Sequence, residues 1–211
     1  MTKPLWRLIP HETEEGLYNL EFDAQLLKEK LPYPILRFYS WKRPCISYGY
    51  FQKKPFLLGN LPAYRRITGG GIVFHDKDLT YSLTYPRGSV LPWSVKRSYG
   101  EIHRILQRAL HCLGIESIQC TEEDRGELCF ENPVVGDLLY EGKKIAGAAQ
   151  RRMGNHLLHQ GTILIEKLNI GHSQLTEAIA KAFEEIYEVT FERVEDASFV
   201  VRIPYSVDRI S

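Results

Sequence analysis

The sequence is short of cysteine and carries neither sign of charge in excess. Its four cysteines (Cys45, Cys112, Cys120 and Cys129) form no C-x-x-C pair and have no zinc-ligand spacing, so they are read as reduced thiols and no metal site is expected. With 27 basic and 26 acidic residues the formal net charge is +1, which gives no footprint for nucleic acid. No apolar run approaches the roughly 18 residues of a membrane span. The start is not signal-like, and there is no repeat, low-complexity tract or linker. These absences predict a cytoplasmic chain without membrane attachment. At 211 residues and 44% hydrophobic content it is long enough to bury a core without covalent staples, as a single domain.

Three amphipathic stretches stand out. Leu17, Leu20, Ala24, Leu27 and Leu31 recur at steps of three and four within 14–31, with Thr13 as a candidate N-cap and Pro32 beyond the end. Val95, Tyr99, Ile102, Leu106, Ala109 and Leu113 mark a second helix stopped by Gly114, and Leu175, Ile179, Phe183 and Ile186 a third, begun near Ser173. Strands are expected at 35–39, 45–48, 65–67, 72–75, 80–85, 115–120, 136–140, 144–151, 156–165 and 189–193. Glu141-Gly142 and Met153-Gly154-Asn155 read as consecutive hairpin turns. The expected class is α+β: a mixed, mainly antiparallel sheet with helices packed on one side.

Two glycine-punctuated segments carry the chemistry. In the first, Arg65-Arg66 leads to Thr68-Gly69-Gly70-Gly71 and then to Ile72-Val73-Phe74-His75-Asp76. Three adjacent residues without Cβ let backbone N–H groups approach an anionic ligand, and Arg66 adds a forked donor. In the second, Gly142-Lys143-Lys144-Ile145 opens a strand of small residues, Ala146-Gly147-Ala148-Ala149. Small side chains leave a trough for an extended ligand, and Lys144 beside it supplies charge for a carboxylate or phosphate, with Asp137 placed to orient it. Lys53, Lys54, Arg151 and Arg152 lie near the same segments. Cys45 and Cys112 read as core fillers, and His75, His156 and His159 make no metal triad.

With His159-x-Gly161-Thr162-x-Leu164, the early Trp41-x-x-Pro44-x-Ile46-Ser47-x-Gly49-x-x-Gln52, and a first helix bearing Asn19 and Asp23, these motifs resemble the catalytic domain of lipoate–protein ligases. That domain is shared with biotin protein ligases and octanoyltransferases. The likeness runs from about residue 5 to 190 in the family's order. It implies attachment of a lipoyl or octanoyl group to one lysine of an apo lipoyl domain in 2-oxoacid dehydrogenase complexes, or of the glycine cleavage H protein. In the ligase reading, which three consecutive glycines favour, ATP with Mg²⁺ forms an acyl-adenylate. The resemblance then assigns Arg66, Gly69, Gly70, Gly71, Ile72, Val73, Phe74 and His75 to the nucleotide or acyl pocket, together with Asp137, Gly147 and His159, and gives Lys144 the catalytic contact.

Two departures keep alternatives open. The chain is too short for the C-terminal accessory domain of many single-chain ligases. Cys129-Phe130, ahead of Gly142, resembles the cysteine loop of the octanoyltransferases. In that branch Cys129 takes the acyl group from an acyl-carrier protein without ATP, and the lysine at the position of Lys144 lowers the thiol's pKa. That branch typically has arginine where this chain has Gly71. ATP-dependent ligation is therefore the first expectation and thioester-based octanoyl transfer the second. Biotin ligation and a catalytically silent lipoate- or lipoyl-domain-binding module follow.

Overall fold

A computed structural model describes residues 3–53, 60–121, 133–196 and 200. In chain order the elements are β1 (Leu5–Glu14), α1 (Gly16–Glu29), β2 (Ile35–Trp41), β3 (Cys45–Tyr48), β4 (Ala63–Arg65), β5 (Ile72–His75) and β6 (Leu79–Pro86). They continue with α2 (Val95–Cys112), β7 (Ile118–Gln119), β8 (Leu138–Tyr140), β9 (Lys143–Met153), β10 (His156–Ile163), α3 (His172–Tyr187) and β11 (Thr190–Arg193). Eight strands form one sheet in the order β11-β1-β2-β6-β10-β9-β8-β7, and β4-β3-β5 form a second, smaller one. Pairing is antiparallel from β2 through β7, whereas β1 runs parallel to both β2 and β11. Among the described residues no helix is long and apolar enough to cross a membrane.

The faces of the large sheet follow from strand alternation. Leu36 and Phe38 of β2 and Leu79, Tyr81, Leu83 and Tyr85 of β6 pack with Ile102, Ile105 and Leu106 of α2 and Leu175, Ile179 and Phe183 of α3. Helices α2 and α3 thus share one side, but the expected one-sided packing does not extend to α1. The opposite face is covered by α1, whose Phe22 and Leu26 meet Ile9 and Ile35.

On that second face the core is polar at its centre. Asp23 and Arg37 are ion-paired at 3.0 Å with both side chains almost wholly buried. Arg37 also donates to Asn19 Oδ1 at 2.6 Å and lies over the rings of Phe22 and Tyr39. The remaining Asp23 lone pairs accept from Tyr39, Ser82 and Gln160 at 2.9, 2.7 and 2.7 Å. This polar centre explains a correction to the first helix. The stripe that α1 buries includes Asn19 and Asp23, while Leu17 is 39% exposed. Its N-cap is Glu15, not Thr13, which belongs to β1.

Strand β1 itself is absent from the sequence reading. Its register against β2 shifts between Ile9 and Glu12, and a bulge of this kind breaks the two-residue alternation that marks a strand. The expected strands at 115–120 and 65–67 are reduced or displaced to β7 and β4.

Because removing one partner of a buried pair leaves an uncompensated charge, Arg37→Met should destabilise the protein by about 3–5 kcal/mol. Urea unfolding measures this. A loss below about 1 kcal/mol would mean that Asp23 is satisfied without the guanidinium.

Candidate active site

A cavity opens between the two sheets. Trp41, Thr80, Gln160 and Gly147 line it from the large sheet, Ser47, Val73 and His75 from the small one, and Leu20 from α1. Arg66, which leads into the glycine loop, lines it as well. Arg66 reaches back beneath that loop, donating to the carbonyls of Gly69 at 2.8 Å and Gly71 at 2.7 Å and to Ser47 Oγ at 3.0 Å. The guanidinium shapes the loop and also lines the cavity.

The loop is pinned from two more directions. Thr68, fully buried, donates to Gln160 Oε1 at 2.8 Å, and Gln160 in turn donates to Asp23. The chain leaving β3 passes so close that a Cβ on Gly49 would lie 2.0 Å from the Gly70 carbonyl oxygen. Glycine is required at position 49 by this close approach of two backbones.

Under the small sheet runs a buried relay. Ser47 Oγ and His75 Nε2 are 2.8 Å apart, and His75 Nδ1 lies 2.9 Å from Asp78 Oδ2. Trp41 stacks on the His75 ring and donates its indole N–H to Asp78. Burial pushes the Asp78 carboxyl up, but the His75 ring and the donors from Thr80 and the Asp76 amide outweigh it and hold it below its ordinary value. The partner of His75 is thus Asp78, not its sequence neighbour Asp76. Ser47, shared between His75 and Arg66, is built into the loop's support.

The second segment converges on the same cavity. Lys144 Nζ lies 2.7 Å from Asp137 Oδ2, with side chains 2% and 0% exposed. The pair sits against Gly147, where a Cβ would fall 2.6 Å from Lys144 Cε and 2.9 Å from Nζ. Two residues on along β9, Ala149 touches the loop, its Cβ lying 3.5 Å from where a Cβ of Gly70 would be. The ammonium and the glycine loop therefore flank one short stretch of strand. Asp137 also accepts from the Val134 amide at 2.8 Å.

Of the other expected site residues, Val73, His75 and Gly147 line the cavity, while Phe74 alternates outward and is 53% exposed. Ile72 pairs with Tyr48 at the start of β5. His159 faces the α2 side of the sheet, fully buried and bonded to Tyr81 and Gln150, so it backs the site without entering it. Gln160, Ser47 and Asp78 line or brace the cavity without having been singled out. Ser47 and Asp78 lie inside or beside the quoted motifs, but no local pattern signals Gln160. Cys129 lies outside the described residues. Among the described cysteines, Cys45 is buried and its thiol is pushed up to about 12, by burial first and then by the charges of Asp78 and Glu15. That leaves it protonated near neutral pH. Cys120 is buried and Cys112 is exposed on α2.

A cavity between two sheets, with the glycine loop and a buried lysine beside it, sets the class, and the chain belongs to the lipoyl protein ligase A/B catalytic domain family, which it matches over residues 15–196. Its relatives are more particular. The octanoyltransferase LipM of Carboxydothermus hydrogenoformans is 37% identical over 179 residues, covering 76% of this chain and 65% of the relative. The LipM of Oceanobacillus iheyensis is 36% identical over 173 residues (75% and 63%), and that of Bacillus subtilis 34% over 188 residues (79% and 67%). The chain thus spans about two thirds of the length of these curated relatives.

In fold it is similar to a lipoate-protein ligase A bound with ATP, with a TM-score of 0.74 at 19% identity over 93% of this chain and 90% of that one. A bi-partite lipoate protein ligase from Thermoplasma acidophilum gives 0.70 at 19% identity over 92% and 88%. At that identity these likenesses establish the fold alone. The LipM relatives overturn the first expectation, ATP-dependent ligation through an acyl-adenylate. Its basis was the run of three glycines, of which Gly70 takes a positive φ of 84° and a Cβ there would lie 2.9 Å from the Arg66 guanidinium.

Three histidines are held neutral by the fold. Burial lowers His103 to about 4 and His159 well below its ordinary value, and burial, then the nearby His172, lowers His11 to about 4. Unfolded, each would take a proton near pH 6.5, so the unfolded chain binds more protons between pH 6.5 and 4. Stability is therefore complete above pH 6.5 and falls as pH drops toward 4, by up to about 1.4 kcal/mol per pH unit for each ring. His103→Asn should remove about one ring's share of that slope, read from urea unfolding at stepped pH. An unchanged slope would contradict the neutral assignment.

Proposed function

We propose that this protein moves an octanoyl group from an acyl-carrier-protein thioester to one lysine of an apo lipoyl domain, through an acyl-enzyme on Cys129 and without ATP. The observation that carries this reading is the position of Lys144. Its ammonium is buried against Asp137 and Gly147 beside the cavity. It lies next to the place where the chain bearing Cys129 leaves and rejoins the sheet. There the Cys120 amide donates to the Asp137 carbonyl at 2.7 Å, and the Gly136 amide donates to the Cys120 carbonyl at 2.9 Å. The names of the LipM relatives give the reaction its class.

In the first half-reaction the Cys129 thiolate attacks the octanoyl thioester carbonyl. The bond to the carrier's thiol sulfur breaks, and that thiolate leaves and takes up a proton. In the second, the neutral amine of the target lysine attacks the Cys129 thioester. An amide forms, the amine's extra proton is lost to solvent, and Cys129 is released as thiolate. Lys144 stabilises the thiolate and the oxyanion of each tetrahedral intermediate. Asp137 fixes the ammonium, and the small side chains of Gly147, Ala148 and Ala149 leave a trough for the acyl chain. Arg66, Thr68 and Gln160 hold the glycine loop in place beside it.

Incubation with octanoyl-acyl-carrier protein and an apo lipoyl domain should give an octanoylated domain with no ATP present. A hydroxylamine-sensitive octanoyl adduct on Cys129 should accumulate when the acceptor is withheld. Lys144→Ala should lower transfer about 10²–10³-fold, in line with removal of one charge-stabilising donor. Cys129→Ala should abolish it, and transfer persisting in that variant would sink the proposal. Gly147→Ala should match Lys144→Ala to within about tenfold, because the added methyl occupies the space of the ammonium. Near-normal turnover in Gly147→Ala would show that Lys144 acts from another position.

A further inference from the structure

Helix α2 reaches through the sheet into this site by one side chain that the reaction scheme does not use. The phenol of Tyr99 donates a short hydrogen bond to Asp137 Oδ1, on the carboxylate whose other oxygen holds Lys144 Nζ at 2.7 Å. The same phenol oxygen accepts the Ala148 amide at 3.0 Å, within the run of small residues along the cavity. Tyr99 is the donor to Asp137 throughout the working pH range. Its hydroxyl is pushed well above the usual value by burial, then by the Asp137 charge and the hydrogen bond to it. One α2 turn later, His103 gives its Nδ1 proton to the Gly136 carbonyl, and its ring stands edge-on to Tyr99 at 4.3 Å.

We infer that Tyr99 is a positioning residue of the acyl-transfer site: by sharing the Asp137 carboxylate with Lys144, it sets how much of the ammonium's charge remains for the reacting sulfur and oxygen. This rests on the proposed role of Lys144. Among the described residues, the carboxylate's two oxygens have three hydrogen-bonded claimants: Tyr99, Lys144 and the Val134 amide. Each donor on one oxygen withdraws negative charge from the other. With Tyr99 in place, Asp137 holds the ammonium in position without cancelling it. Among the described residues, the titratable groups around Tyr99 are Asp137, Lys144, His103, His159 and Tyr81. Burial keeps both histidines neutral and raises the Tyr81 phenol, so neither the rings nor Tyr81 titrates between pH 7 and 9.

Tyr99→Phe removes the donor and keeps the ring. In ¹⁵N-lysine-labelled, ligand-free protein the Lys144 ammonium signal, assigned by its loss in Lys144→Arg, should change frequency in Tyr99→Phe and hold still in Tyr85→Phe. In the octanoyl transfer assay kcat should fall at least about tenfold with KM for the carrier within about twofold. The acid limb of the rate profile should also move to higher pH, because a less shared Asp137 opposes thiolate formation more strongly. In an Asp137→Asn background, Tyr99→Phe should add less than about a twofold loss. An unmoved ammonium signal overturns the inference, as does a kcat loss with the acid limb unmoved, which a merely structural tyrosine would give. A wild-type protein inactive with the octanoyl donor would defeat the proposed reaction, while the ammonium signal would still decide the role of Tyr99.

Discussion

The buried carboxylate of Asp23 is the constraint on which the rest of the molecule depends. It takes hydrogen bonds from Arg37 and Tyr39 of β2, Ser82 of β6 and Gln160 of β10. One group on α1 thus fixes the helix against three strands. An ionised side chain this deep is tolerable only when every lone pair is matched, so the register of those strands and the rotation of α1 are decided together. Through Gln160 the constraint passes to Thr68 and on to the glycine loop. The glycine loop is therefore tied to a charge on α1, the helix whose Leu20 lines the cavity.

A second carboxylate, Asp137, does for chemistry what Asp23 does for architecture. It gathers Lys144, Tyr99 and the Val134 amide at the edge of β8 and β9. A lysine held by a fully shared carboxylate is directional, the form of electrostatic preorganisation that the proposed acyl transfer would reward. The small residues of β9 have a related purpose. Gly147 is where the lysine tip lies over the backbone, and Ala149 is where the loop touches down. Larger side chains at either position would separate the two halves of the site.

Much of this was legible in the sequence, and the failures are instructive. The periodicity of Ile102, Leu106 and Ala109 gave α2 almost to the residue, and Glu141-Gly142 gave the β8–β9 turn, because both signals are local. Strand β1 escaped because a bulge interrupts its alternation, and the face of α1 was rotated because its buried stripe is partly polar. The triple glycine was misjudged more seriously. Read alone it pointed to ATP-dependent ligation, whereas relatives similar to this chain are named octanoyltransferases, a difference that a glycine run does not encode.

Residue order by itself determined the family, the two segments that build the cavity, and the α+β class, since each is written in short-range spacing. Only the tertiary structure decided which carboxylate serves which cation. It set Asp78 on His75, Asp23 on Arg37 and Asp137 between Lys144 and Tyr99, and it turned Arg66 inward to the loop. Those choices depend on which face of a strand a residue occupies and on what packs there from tens of residues away, and no local pattern encodes that.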